Sequence, residues 1–365
     1  MKKIYSGMLT AIFLVMFSGV TEGCNTDTES DEMADTNTET GMGTEAETAT
    51  ETETGIETET ATEDSIPTAQ SLANNASKQN YINWLSKVAV ERTLGSAGWQ
   101  SVQDLCSAEF RKFGYTVELQ TFSKGTNVIG RLEGTSLPET HVVVAAHYDH
   151  IEGCIGADDN GTGVAGLLET ARVLSLKSHD KSLIVACFDQ EENGLLGSTA
   201  FVEDSVANNE NIDLAFIYEM IGYINDSPNS QLLPPGFDQL FPDMVLAIEA
   251  NENRADFAAI LANEAAGDAA VQMSNFAQKD GLTAYPIVVP NALQQLDALS
   301  DLRRSDHAPF WDAGFLAINI TDTANMRYAA YHCREGEDVI ENLNHDFAYL
   351  ILRSTIFAAA TALNK

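Results

Sequence analysis

HVVVAAHYDHIEGCIGADDNGTGVAGLLETARVLSLKSHDKSLIVACFDQEE, residues 141–192, is the stretch on which the fold turns. Its first part, HVVVAAHYD (141–149), is a nearly unbroken apolar run, and so is SLIVACFDQ (182–190). Apolar runs without alternation mark strands covered on both faces. Between them, GTGVAGLLETARVLSLK (161–177) carries its apolar residues at helical spacing. Buried strand, helix, buried strand makes a parallel crossover unit. The expected class is therefore α/β, a three-layer sandwich with a mixed, mainly parallel central sheet between helical layers.

The pattern extends in both directions. TVELQTF (116–122) and TNVIGRLEG (126–134) alternate like a hairpin around Lys124 and Gly125. Upstream, residues 70–95 and 97–113 read as helices, the first with Trp84, Leu85, Val88 and Val90 on its apolar face. Downstream come a helix from Leu195 and a third buried strand, IDLAFIYEM (212–220). Beyond these lie the apolar segment VLAIEAN (245–251), a helix near 254–266, YPIVVP (285–290), FLAINITD (315–322) and a long helix over 343–363. No linker interrupts residues 67–365, which are expected to form one domain.

The N-terminus is different in kind. Two lysines and the apolar run MLTAIFLVMFSGV have the form of a secretory signal over residues 1–23, too short to span a bilayer comfortably. The small residue before Cys24 resembles a bacterial lipoprotein processing site, although Thr21 and Glu22 depart from its usual residues. Cys24 is thus the expected lipid anchor, with soluble export as the alternative. Residues 24–66 are rich in Thr and Glu, lack Lys and Arg, and are expected to form a disordered acidic spacer. The whole chain carries 54 acidic against 20 basic residues, a net charge of −34 that argues against nucleic acid and anionic membrane surfaces as partners. Four further cysteines, Cys106, Cys154, Cys187 and Cys333, allow three pairings. Cys187, inside an apolar strand, is expected to be a buried thiol, and a bridge between Cys154 and Cys333 is one of the open pairings.

Ligands of open α/β sheets bind beyond the carboxyl ends of the strands. His147 and Asp149 end the first buried strand, Glu191 and Glu192 the second, and Glu219 the third. GADDNG (156–161), which contains Asp159, follows the first, and His332 lies in a loop after a later strand. Each has an ordinary reading as a turn, a solvated acid or a surface histidine. Together they form a mixed nitrogen and oxygen donor set suited to zinc.

With HYD (147–149), GADDNGTGVAGLLETAR (156–172), FDQEENGLLGS (188–198), YEMIGY (218–223), SDHAPFWDAG (305–314) and TDT…YH (321–332), the chain resembles the co-catalytic zinc exopeptidases of metallopeptidase family 28. That family includes leucyl aminopeptidases and glutamate carboxypeptidases, with glutaminyl cyclases as relatives. The resemblance implies the zinc-dependent exopeptidase fold and two zinc ions. His147, Asp159 and Glu219 would hold one and Asp159, Glu192 and His332 the other, with a cis peptide beside the bridging Asp159. It further implies that Glu191 is the general base and that Asp149 orients His147. Asp306 and His307 match a supporting motif. Three positions depart from the family pattern: Glu219 stands where many members have Asp, two residues are inserted between His332 and Asp338, and no tyrosine precedes Ser305, where Arg304 is the substitute.

The implied function is an exported aminopeptidase acting on peptides, with a glutaminyl cyclase-like acyltransferase as the alternative. A non-catalytic binding module is disfavoured, because every metal position is filled by a competent residue.

Overall fold

The computed structural model describes residues 69–364. The 1–23 leader, Cys24 and the whole 24–66 spacer lie outside the described residues, as do residues 67 and 68.

Eight strands form one sheet: β1 (Thr116–Phe122), β2 (Gly125–Leu132), β3 (Leu137–His147), β4 (Lys181–Phe188), β5 (Asn211–Glu219), β6 (Ala258–Asn263), β7 (Ala284–Val289) and β8 (Ala317–Thr321). Their spatial order is β1-β2-β4-β3-β5-β8-β6-β7. β3 runs parallel to β4 and β5, β5 to β8, and β6 to β7. The β1–β2, β2–β4 and β6–β8 pairs are antiparallel. The helices are α1 (Ala69–Ala73), α2 (Lys78–Val88), α3 (Ala97–Lys112), α4 (Gly163–Leu174), α5 (Leu196–Ala207), α6 (Phe237–Leu240), α7 (Pro242–Ala250), α8 (Gly267–Lys279), α9 (His307–Asp312) and α10 (His345–Leu363).

The period of two along each strand divides the core. Val142, Val144 and Ala146 of β3 join the apolar layer under α2, α3, α4, α8 and α10. Val143 and Ala145 join the opposite layer, packed on Phe201 of α5, Val245 of α7 and Phe310 of α9. Both faces of β3 and β4 are covered, which is why their sequences do not alternate. α10 is apolar over 19 residues, yet it packs on α1, α4 and α8 as a core helix.

Two expected helices and one expected thiol need correction, and one unassigned segment gains an element. The helix expected over 70–95 is two helices: α1 stops at Ala73, and α2 restarts where the Ser77 side chain caps the Asn80 amide. The apolar segment at 245–251 belongs to helix α7, opened by Pro242 in its first turn. The region near 254–266 holds strand β6, and the helix there follows it as α8. AAILAN has strong helix formers, but all six residues are buried between β7 and β8, and that packing overrides propensity. Cys187 is also not a free thiol, because it is bonded to Cys106 and ties β4 to α3. Cys154 pairs with Cys333.

Candidate metal centre

The carboxyl ends of β3, β4 and β5 lie side by side, so His147, the Glu191–Glu192 pair and Glu219 meet at one edge of the sheet. The two glutamates both reach the cavity because the chain leaves extended geometry immediately before them. Gln190 has φ 62°. The Glu191 carbonyl then accepts the Gly194 and Leu195 amides, each at 2.9 Å. Asp149 holds this turn from below: its carboxylate accepts the Glu191 amide at 3.0 Å and the Glu192 amide at 3.3 Å. The same carboxylate stays beside His147, where it was expected. The nearer acceptor for His147 Nδ1 is the Asp149 backbone oxygen at 3.3 Å, while the carboxylate, engaged with the glutamate amides, stands 3.6 Å away.

Asp159 sits in an irregular turn between β3 and α4, and its peptide bond to Asn160 is cis. Asp338 fixes that turn, accepting the Asp158 amide at 2.9 Å and the Asp159 amide at 3.0 Å. The acidic partner displaced by the insertion after His332 is thus still in place. His332 and Cys333 both have left-handed φ, 54° and 52°, and the Cys154–Cys333 bridge pins their loop to the segment after β3. Ser305 donates to Glu219 Oε2 at 2.7 Å and so orients that carboxylate.

Asp159 lies between two donor groups. Its Oδ1 is 3.5 Å from His147 Nε2, which is 3.2 Å from Glu219 Oε2. Its Oδ2 is 3.3 Å from His332 Nε2, which is 3.0 Å from Glu192 Oε2. Ligand atoms about 2.0–2.1 Å from a tetrahedral zinc are separated by roughly 3.4 Å, close to all four distances. His147 Nε2 and Glu192 Oε1 are buried and face only other ionisable groups, Glu219 Oε2 at 3.2 Å and His150 Nδ1 at 2.7 Å. Carboxylates and imidazoles crowded together away from water are costly unless a proton or a cation is shared among them. Donor type, spacing and the crowding of buried ionisable groups therefore all fit zinc.

Burial works against ionising these groups, and their neighbours decide the balance. Burial raises the Glu191 carboxyl well above its usual range, with His147 opposing and Glu219, Asp306 and Glu192 adding to the rise. Burial also works to raise Glu192, but hydrogen bonds to His150 and His332 outweigh it and hold that carboxyl low. Burial lowers His332, yet Asp159 and Glu192 bring it up to about 9. His147 is also raised, as Glu219 and Glu191 outweigh its burial. A histidine raised in the folded state contributes stability that is complete below about pH 6.5 and is lost as pH climbs through its folded value. The metal-free protein should therefore lose stability between pH 7 and 9, His332 accounting for at most about 3 kcal/mol. Thermal melts of chelator-treated protein check this, and a flat or rising midpoint contradicts it. Added zinc, which needs neutral imidazoles, should stabilise more as pH rises over the same range.

Three residues escaped the sequence reading. His150 is fully buried with its Nδ1 2.7 Å from Glu192 Oε1, closer than two ligands of one zinc would stand. It directly follows the HYD motif, which was the signal available. Tyr331 stacks on the His332 ring at 3.8 Å, and its hydroxyl accepts from Arg304 at 3.0 Å. A tyrosine thus stands next to the histidine, its hydroxyl held by Arg304.

Arg92 is the third, fully buried behind the site. Its guanidinium donates to the carbonyls of Tyr148 and Ile155 at 2.8 Å, Gly156 at 2.8 Å and Asp159 at 3.1 Å, joining the two segments that carry His147 and Asp159. Arg92→Met should cost roughly 3 kcal/mol or more in a denaturant titration, since it strands these buried acceptors. A loss below about 1 kcal/mol contradicts that role.

The family model for peptidase family M28 matches residues 127–351. Among curated proteins, the chain is 29% identical over 216 residues to the uncharacterized protein YfbL of Escherichia coli K12, covering 56% of this chain and 61% of that protein. It is 36% identical over 111 residues to aminopeptidase YwaD of Bacillus subtilis 168, covering 29% of this chain and 24% of that protein. The chain thus spans less than two thirds of the length of either relative. Among solved structures, the Legionella pneumophila LapA aminopeptidase shares the fold at TM-score 0.62 and 13% identity, over 81% of this chain and 75% of that one. A Porphyromonas gingivalis glutaminyl cyclase shares it at TM-score 0.55 and 18% identity, over 78% and 98%.

Proposed function

The chain belongs to peptidase family M28, and from that premise we propose that it is a zinc-dependent aminopeptidase that removes the first residue of peptides. The observation carrying this reading is the shared carboxylate: Asp159 stands between the His147–Glu219 and His332–Glu192 pairs. His147, Asp159 and Glu219 would hold one zinc ion, and Asp159, Glu192 and His332 a second. When bound, the two ions supply Lewis acidity toward the scissile carbonyl and toward the attacking water.

The chain's own residues do the rest. Glu191 stands beside His147 and Glu219 but is not needed as a ligand, so its carboxylate is free to take the water's proton and return it to the departing amine. Burial, which raises its pKa, makes it a stronger proton acceptor than a solvated carboxylate. The Tyr331 hydroxyl, kept protonated chiefly by burial, can donate to the carbonyl oxygen as negative charge develops there. Asp149 positions both glutamates through their amides, and Ser305 positions Glu219.

The aminopeptidase assignment draws support from the name of YwaD. The proposal includes export, with Cys24 as lipid anchor and free peptides as partners. Two disulfides among the described residues fit an oxidising compartment. Incubation with L-aminoacyl anilides, their N-acetylated forms and glutamine-led peptides tests the reading. Amine release confined to free N-termini is expected, and cyclisation of the glutamine peptides without amine release contradicts it.

A further inference from the structure

Four of the five candidate ligands stand on backbone that the sheet or a buried side chain holds. His147 and Glu219 end strands, paired with Phe188 of β4 and Thr321 of β8. Arg92 and Asp338 fix the turn that carries Asp159, and Asp149 fixes the turn that carries Glu192. His332 is held differently. It lies in the connection from β8 to α10, which is anchored on either side of it: Arg327 donates to Gln231 Oε1 at 2.9 Å, and Asp338 accepts the amides of the Asp159 turn. Between these anchors, the amides of Tyr331, Cys333, Arg334 and Glu335 donate only to carbonyls of residues 328–331, inside the same loop. Apart from the contacts of His332 itself, two side-chain bonds among the described residues lead out of the 329–336 stretch. One is the exposed hydrogen bond from Arg304 to Tyr331, and the other is the bridge from Cys333 to Cys154, 179 positions away in sequence. His332 and Cys333 also have left-handed φ, which residues with a Cβ keep only where their surroundings impose it.

We propose that the Cys154–Cys333 bridge positions His332 and thereby makes the second zinc ion, and with it hydrolysis, conditional on an oxidised chain. The proposal rests on the two-zinc reading of the site. With the bridge closed, the residue next to His332 is fastened to the segment leading from β3 to Asp159, and the imidazole faces Asp159 and Glu192. With the bridge open, the stretch keeps one exposed hydrogen bond, its two left-handed residues relax, and the imidazole leaves the donor group. The first zinc position takes no ligand from this loop. Loss of an outer support costs a metal site about 10- to 100-fold in affinity. Opening is a two-electron reduction: a dithiol attacks one sulfur, the S–S bond breaks, and the dithiol closes to its own disulfide while its two protons pass to Cys154 and Cys333. Cys333 is partly exposed, whereas Cys106 and Cys187 are both 0% exposed and join α3 to β4. The buried bridge is therefore the internal control.

The test is zinc titration of the full chain against a competing indicator dye, before and after treatment with a trialkylphosphine, which does not chelate zinc as a dithiol does. The phosphine is oxidised at phosphorus, water supplying the oxygen there and two protons to the new thiols. Alkylation and peptide mapping identify the bridge that has opened. Expected are free Cys154 and Cys333, an intact Cys106–Cys187 bridge, an unchanged first zinc and a second bound about 10- to 100-fold more weakly, with hydrolysis falling in parallel. Oxidised glutathione should restore the second zinc. The double substitution Cys154→Ser, Cys333→Ser should show the weakened second zinc without phosphine and should not respond to it. Two zinc ions held with unaltered affinity after the bridge has opened overturn the proposal, and so does a bridge that stays closed in the folded chain. The unaltered protein alone decides the matter if the double variant does not fold. Fewer than two zinc ions in the oxidised protein sink the two-zinc reading and this role with it. A second zinc that follows the bridge in a protein hydrolysing no aminoacyl anilide would sink the peptidase reading and leave the positioning role standing.

Discussion

Glu191→Ala is expected to cut hydrolysis of aminoacyl substrates by roughly 10²- to 10⁴-fold while leaving the zinc content unchanged. The two readouts separate because of how the turn is built. The amides of Glu191 and Glu192 are held by Asp149, and the Glu191 carbonyl closes the turn, so removing the side chain leaves the backbone scaffold intact. His147, Asp159 and Glu219 keep their mutual distances without it. What goes is the carboxylate that moves the proton, an interaction realised in the transition state, so the loss should fall on kcat and leave KM little changed. Near-normal turnover in the variant contradicts the assignment, and so does a parallel loss of zinc.

Glu192→Ala should behave in the opposite way, with zinc lost together with activity. Glu192 faces both His150 and His332, and only Asp159 would remain as a carboxylate for that position. Removal of a supporting neighbour typically weakens a metal site by about 10- to 100-fold, and loss of a direct ligand should exceed that. Metal analysis after dialysis should then find close to one zinc per chain where the unaltered protein holds two. The variant carries a second signature. Glu192 helps to hold His332 up at about 9, so the loss of stability of the metal-free protein between pH 7 and 9 should shrink. Full zinc retention contradicts the ligand assignment.

Much of the architecture was legible because the buried strands declare themselves. HVVVAAHYD and SLIVACFDQ have no alternation, and β3 and β4 are covered on both faces. β6 was misread because AAILAN has the composition of a helix and only its neighbours in the sheet make it a strand. At the site, His147, Asp159, Glu192, Glu219 and His332 follow from strand ends and motif, and the structure brings them within 3.0–3.5 Å of one another in successive pairs. Arg92 left no signal, since its importance lies in carbonyls supplied by residues up to 67 positions away.

Most directly decisive is a zinc titration of metal-free protein, followed by amine release from an L-aminoacyl anilide and from its N-acetylated counterpart. The two-centre reading gives activity that reaches its maximum at two zinc ions per chain and only on the free amine. Full activity in the chelated protein, or equal cleavage of the acetylated substrate, would contradict it.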